Sequence, residues 1–375
     1  MPHKILIVNQ NSGYLTIDVA NAFITEYDEV VLMYGLNQVT ERTLHPKVKV
    51  QKTITYNRAS KVKRLWTWGI CTIHLTCLLA WKYRGYRVLY YTNPPMSYFN
   101  ALLFSNPFSV VVFDAYPDSL KVLGIRESSL VFRTWKWLNR KLFSKATQII
   151  TLSEGMKQQL CQYVVDEKIK VVSIWAGSES FGPIPKKENP FLKEHNWEDK
   201  FVVLYSGNMG IGHKLEVLIE VADSLRDRRE FLFLFVGEGA KKNVLRTLAC
   251  SKGLINVVFL TWQGAAVLPY SLAAADIAVV ALEPEAARAS VPSKTFNYMA
   301  VGAPILAIGS QDSELASMIT NYQVGFNSPG VDAGEIQEFI LSIFANKEKS
   351  RELSGNSLKA VQKHSCSNSI QYIFH

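Results

Sequence analysis

Few residues in this 375-residue chain combine the type and setting that phosphate chemistry needs, and Lys294 is foremost among them. It lies in Ser290-Val291-Pro292-Ser293-Lys294-Thr295-Phe296-Asn297-Tyr298-Met299-Ala300-Val301-Gly302-Ala303-Pro304, which reads as a loop, a short helix and a glycine stop. Ser290 or Ser293 is expected to cap the helix. Gly302 is expected to end it, and Pro304 forbids its continuation. Free backbone N–H groups at a helix start, beside an ammonium group, make a seat for a phosphate or diphosphate. Upstream, Tyr205-Ser206 opens into Gly207-Asn208-Met209-Gly210-Ile211-Gly212, followed by His213 and Lys214. Its glycines permit a tight turn and close approach of backbone to ligand, although such a loop alone also reads as a plain turn. Glu238, between Gly237 and Gly239, is a candidate nucleotide contact or a turn residue, and Trp262 and Gln263 follow the next apolar run. In the first half, Gly13 would let a loop approach a diphosphate. Asp114, at the end of an apolar run in a Pro-bounded loop, is a candidate polar contact, with Asp118 a weaker candidate. Each also reads as an ordinary loop residue or cap. There is no Ser/His/Asp set and no metal-ligand spacing among the seven histidines, so neither metal nor cofactor is expected.

These residues need elements to hold them, and the chain supplies two series of short apolar runs alternating with helical patterns. The first comprises Lys4–Asn9, Val30–Met33, Val88–Tyr91, Val110–Phe113, Gln148–Thr151 and Val171–Ile174. The second comprises Phe201–Ser206, Phe231–Val236, Val257–Leu260, Ile277–Val280 and Ile305–Ile308. Runs apolar on both faces that alternate with helices indicate parallel sheets. The expected fold class is therefore α/β, with two doubly wound, Rossmann-like domains facing a central cleft at the carboxyl ends of their strands. Expected boundaries are a first domain at 1–176, a Gly- and Pro-containing linker at 177–200, a second domain at 201–351, and a C-terminal helix and tail at 352–375. The tail is a candidate to pack back on the first domain.

The composition, 48% hydrophobic and 19% charged, suits a packed globular protein. Five scattered cysteines form neither a disulfide framework nor a zinc set, which suggests a reducing compartment. With no signal peptide visible ahead of Ile5-Leu6-Ile7-Val8, a cytoplasmic setting is expected. Of the 41 Lys/Arg and 32 Asp/Glu, 22 and 12 fall within Met1–Pro185, so the net charge of +9 belongs to the first half. Such asymmetry suggests an anionic partner or a solvated basic surface. No nucleic-acid recognition motif accompanies it. Leu65–Trp81, flanked by Lys61, Lys63 and Arg64 and by Lys82, Arg84 and Arg87, is marginal as a bilayer span and reads first as a buried helix, then as an interfacial one. Val131–Lys145, with Trp135, Trp137, Lys136, Arg140 and Lys141, reads as a basic amphipathic helix that either faces the core or touches an anionic membrane.

Taken in order, Tyr205–Gly210 with His213, Val236-Gly237-Glu238-Gly239, Leu272–Asp276 and Ser290–Pro304 resemble the donor site of retaining GT-B glycosyltransferases of family 4. Asp114-Ala115-Tyr116-Pro117-Asp118, Thr151–Met156 and Ile174-Trp175-Ala176 are similar to the bacterial members that build surface polysaccharides. The resemblance implies transfer of a sugar from a UDP-linked donor to a hydroxyl of a glycan or lipid-linked oligosaccharide, with retention; if that acceptor is lipid-linked, the basic first half would hold the protein at the inner face of the membrane. It implies catalytic roles for Asp114 and Lys294. Donor contacts would come from Gly13, Gly207, Asn208, Gly210, His213, Lys214 and Glu238, and from Ser290, Val291, Pro292, Ser293, Lys294 and Asn297. The chain departs from the family pattern in four places. Asn208 and His213 stand where an arginine and a lysine are common, so the phosphates would lean on Lys294 and Lys214. Ala289 and Asn297 stand where two glutamates are common, leaving Asn297 to meet the ribose; Glu283 and Glu285 read first as solvated loop carboxylates and second as groups that reach the sugar. Two alternatives remain at this level: a nucleotide-sugar 2-epimerase-like enzyme on the same fold, and a non-catalytic nucleotide-sugar or membrane-binding subunit.

Overall fold

A computed structural model describes residues 3–37, 42–57, 59–123, 125–177, 181–282 and 291–374. The chain divides into two compact units, one made of Met1–Ile174 with Cys366–His375 and one of Trp175–Ser365. The first holds strands β1 (Lys4–Val8), β2 (Asn11–Ser12), β3 (Glu29–Tyr34), β4 (Leu36–Asn37), β5 (Val48–Lys52), β6 (Arg87–Tyr91), β7 (Phe108–Val112), β8 (Ile149–Thr151) and β9 (Ile169–Val171). Seven form one parallel sheet in the order β5-β3-β1-β6-β7-β8-β9, and β2 and β4 pair separately. The order reverses between β1 and β6, the switch point at which open α/β sheets bind ligands. Ile5, Leu6, Ile7 and Val8 are fully buried, as strands covered on both faces require.

The second unit holds β10 (Phe201–Ser206), β11 (Phe231–Val236), β12 (Val257–Leu260), β13 (Ile277–Ala281), β14 (Ile305–Ile308) and β15 (Gly325–Ser328). They form a parallel sheet in the order β12-β11-β10-β13-β14-β15, the Rossmann arrangement with its switch point between β10 and β13. Besides the two-residue strands β2 and β4, two strands of the main sheets escaped the apolar-run reading, β5 and β15. Both lie at sheet edges, where alternate side chains meet solvent, and the Val48-Lys49-Val50-Gln51-Lys52 pattern shows it. Two other runs shift: Val110–Phe113 becomes Phe108–Val112, and Val171–Ile174 becomes Ile169–Val171.

Much of the segment read as a linker is folded. Residues Pro190–His195 form a helix whose N-cap, Asn189, accepts from the N–H groups of Phe191 and Leu192 and donates to the Tyr270 carbonyl (2.9 Å). Lys186 pairs with Asp276, anchoring this stretch to the second unit. An Asn-Pro pair is an N-cap and first-turn signal in its own right. At the other end, the Lys347–Gln362 helix belongs to the second unit, whereas Cys366–His375 packs on the first. There the Tyr27 hydroxyl donates to the Phe374 carbonyl (2.5 Å), and the Phe374 ring meets Phe23 edge-on (6.5 Å).

The Leu65–Trp81 run lies in a helix, Lys61–Trp81, capped by Ser60. It buries Trp68, Cys71, Leu75 and Leu79 and leaves Leu65, Trp66, Ile73 and Trp81 exposed. No helix among the described residues is long and apolar enough to cross a membrane. Leu130–Lys145 is the second amphipathic helix. It buries Phe132, Leu142 and Phe143, and Lys141 lies over the exposed Trp137 ring (3.9 Å).

Candidate functional site

At the switch point of the second unit two glycine loops touch backbone to backbone. Register places Ser206 of β10 beside Val236 of β11, and the contact continues past the strands. The Gly207 N–H donates to the Val236 carbonyl (2.9 Å), and the Met209 N–H to that of Glu238 (2.8 Å). Gly237 and Gly239 have φ of +132° and +147°. A Cβ on them would stand 2.2 Å from the Gly207 carbonyl oxygen and 2.4 Å from that of Met209. No side chain fits at either place. A Cβ on Gly207 would stand 2.6 Å from the Lys294 Nζ, so that glycine makes room for the ammonium.

Lys294 arrives on the helix Ser293–Ala300. Its N-cap is Pro292, not Ser290 or Ser293, and no side chain among the described residues caps it. Ser293 is already the first helical residue, and Ser290 lies outside the described residues, as do Glu283, Glu285 and Ala289. The far end closes as expected. Gly302 takes φ +73°, its N–H donates to Met299, and the Ala303 N–H reaches back to Tyr298, a Schellman arrangement. Tyr298, one turn beyond Lys294 on the same face, pins the helix to β10. Its hydroxyl accepts from the Ser206 N–H (2.7 Å) and donates to the Ser206 carbonyl (3.3 Å). Burial pushes this phenol well above its usual range.

The Lys294 ammonium is buried 4.3 Å from the centre of the Tyr205 ring and has no hydrogen-bond partner among the described residues. Burial lowers its pKa from 10.5 to about 8. Its neighbours differ. Lys241 pairs with Glu216 (2.6 Å) and donates to the His213 carbonyl (2.7 Å). Lys242 pairs with Glu238 (2.6 Å), so that carboxylate already has a cation. Lys214 donates to the Pro329 carbonyl (3.0 Å), at the end of β15. His213 serves the loop: its Nδ1 lies 3.0 Å from the Tyr205 hydroxyl and accepts from the Gly210 N–H (3.4 Å). The Tyr205 hydroxyl in turn donates to the Asn208 carbonyl (2.5 Å). The Asn297 side-chain oxygen accepts from the Gly177 N–H (2.9 Å). Val291 and Pro292 are half-buried at the helix entrance, and Trp262 is exposed. Tyr205 and Tyr298 lie within the sequence motifs, but their residue types alone announce no role. The four-residue spacing of Lys294 and Tyr298 was the available signal for the second.

In the first unit, Gly13 caps the Tyr14–Phe23 helix with φ −130° and open space around its Cβ position, so neither conformation nor packing demands glycine. Asp114 follows β7 and is exposed. Its N–H donates to the Thr92 hydroxyl (3.2 Å) and its carbonyl accepts from Tyr116 (3.0 Å). Asp118 is internal, accepting from the Tyr163 hydroxyl (2.7 Å) and pairing with Lys121 (3.0 Å).

Residues 187–360 match the family described as Glycosyl transferases group 1. A "Probable glycosyltransferase WbjE" of Pseudomonas aeruginosa is 26% identical over 337 residues, covering 86% of this chain and 84% of that protein. A "Putative colanic acid biosynthesis glycosyl transferase WcaI" of Escherichia coli is 36% identical over 125 residues, 33% of this chain and 30% of that protein. Among solved structures, HepE from Anabaena in complex with UDP superposes with a TM-score of 0.72 at 16% identity, covering 98% and 97% of the two chains. WaaG, a glycosyltransferase of lipopolysaccharide biosynthesis, does so with a TM-score of 0.67 at 15% identity, covering 96% and 95%. The two units thus have the GT-B fold.

Proposed function

We propose that the protein, whose residues 187–360 match the group 1 glycosyl transferases, moves a sugar from a UDP-linked donor to a hydroxyl of a glycan or lipid-linked acceptor, with retention, in surface-polysaccharide synthesis. One observation carries the reading: Lys294 is a buried ammonium with no anion beside it among the described residues, at an uncapped helix start against a glycine loop. Buried charges in folded proteins are normally paired. A donor diphosphate supplies the missing charge, with the first-turn N–H groups as further donors. The UDP complex of the HepE relative and the names of the two sequence relatives agree with this choice.

In the proposed reaction the bond from the sugar's anomeric carbon to the diphosphate oxygen breaks, and the acceptor oxygen bonds that carbon on the same face. The acceptor proton passes to the departing phosphate. Lys294 offsets the charge growing on the leaving diphosphate, which lowers the barrier more than it stabilises the ground state. Asp114, exposed after β7, is the proposed positioning group for the acceptor hydroxyl. The exposed tryptophans and basic residues of the two amphipathic helices are proposed to rest on an anionic membrane. A thermal-shift titration with UDP, GDP, ADP and CMP tests the core of the reading. UDP alone should raise the melting temperature, and Lys294→Ala should abolish the rise. A response to none of them, or a rise that survives Lys294→Ala, would overturn it.

A further inference from the structure

A second cation without an ion-pair partner among the described residues lies in the first unit. Arg64 stands one turn before Trp68, and its guanidinium lies 5.2 Å from the centre of the Trp68 ring. Tyr56 stacks on the same tryptophan at 5.9 Å and 6°. The Arg64 Nε is buried without a hydrogen-bond partner, and the side chain makes no ion pair among the described residues. The first turn of its helix carries no acidic residue, although cations are disfavoured at that end.

The surroundings are equally unsatisfied. Gln10 follows β1, and its N–H donates to the carbonyl of Asn93, which follows β6. The Gln10 side chain donates to the carbonyls of Ile54 (3.1 Å) and Thr67 (3.0 Å), but its own oxygen has no partner. The side-chain oxygens of Asn11 and Asn93 and the Trp68 Nε1 are also buried without partners among the described residues. Such groups are few in folded proteins, and here they gather at the switch point of the first sheet. Tyr116 joins the group, because its phenol feels the charges of Asp114 and Arg64 together. Unsatisfied amides and aromatic faces suit a sugar, and an unpaired guanidinium suits a planar or tetrahedral oxyanion, which it grips with two parallel hydrogen bonds.

We propose that this corner binds the acceptor, and that Arg64 selects an acidic one by holding an oxyanion on the sugar. This deepens the transferase reading and rests on it for the word acceptor. The oxyanion is a carboxylate or a phosphate. The test is calorimetric binding of glucose, glucuronate and glucose 6-phosphate to the full chain, alongside UDP binding. The parent should prefer one anionic sugar over glucose by about tenfold, the worth of one hydrogen bond to a charged group. The favoured anion identifies the source. Arg64→Gln should erase the preference, with melting temperature and UDP affinity unchanged, and Arg64→Lys should keep part of it. Equal binding of the three sugars, binding of none, or a preference that survives Arg64→Gln would overturn the assignment. Loss of the preference in Arg64→Gln when the parent fails to bind UDP would uphold the Arg64 site while removing the transferase reading.

Discussion

Replacing Lys294 by methionine should make the unliganded protein more stable while abolishing its response to UDP. The drop in pKa from 10.5 to about 8 corresponds to about 3 kcal/mol held against the charged form. Attraction to the Tyr205 ring offsets about 1 kcal/mol of that, leaving about 2 kcal/mol released by an apolar side chain of similar length. For a unit of this size the melting temperature should rise by about 4 to 8 °C at neutral pH. The direction with pH follows from proton binding. The folded-state pKa is the lower one, so between about 8 and 10.5 the unfolded chain holds a proton that the folded chain has released. The parent therefore gains stability across that window, and below it the penalty stands in full. Parent and Lys294→Met should differ most at neutral pH and converge near pH 10.5. UDP should raise the parent's melting temperature most below about pH 8, where the ammonium is charged, and that of the variant hardly at all. The assay is a set of melts of both proteins across pH, with and without UDP. A variant that melts at or below the parent at neutral pH would refute the buried, unpaired ammonium. An equal UDP response in both would refute its role.

Four further outcomes follow from the geometry. Gly237→Ala should cost about 3 kcal/mol in urea unfolding, because its Cβ would stand 2.2 Å from a backbone oxygen at a φ that L residues avoid. Native-like stability would show that the two loops do not touch. Tyr298→Phe should cost about 1 to 3 kcal/mol through the two unmet Ser206 backbone groups and should weaken UDP binding, both read from the same unfolding and titration experiments. Glu238→Gln should change stability by less than about 1 kcal/mol and leave UDP affinity unchanged, since its half-exposed carboxylate serves Lys242. Weaker binding would instead return Glu238 to the nucleotide. Phe374→Ala should cost about 3 kcal/mol in the first unit and speed hydrogen exchange in the Tyr14–Phe23 helix, where the ring packs on Phe23. Unchanged exchange would show that the tail is a passenger.

The sequence by itself determined the two parallel sheets, because strands covered on both faces must be apolar throughout, and short runs such as Phe231–Val236 recur between helical patterns. It also determined the Gly302 stop and the glycine loops, because backbone conformation is a local property. The edge strands were hidden, since their side chains answer to solvent and not to a core. The folded state of 190–195 was obscured by neighbouring prolines, though Asn189 and Pro190 spell a helix start. Only tertiary structure decided which of several lysines is left without a partner among the described residues. Lys214, Lys241, Lys242 and Lys294 look alike as residue types, yet three meet a carbonyl or carboxylate and the fourth meets an aromatic ring and a glycine. Pairing of charges depends on what distant segments bring within about 3 Å, and hydrogen bonds fade beyond that reach. A residue's chemistry can be named from its type, but its availability is set by neighbours that the chain supplies from elsewhere.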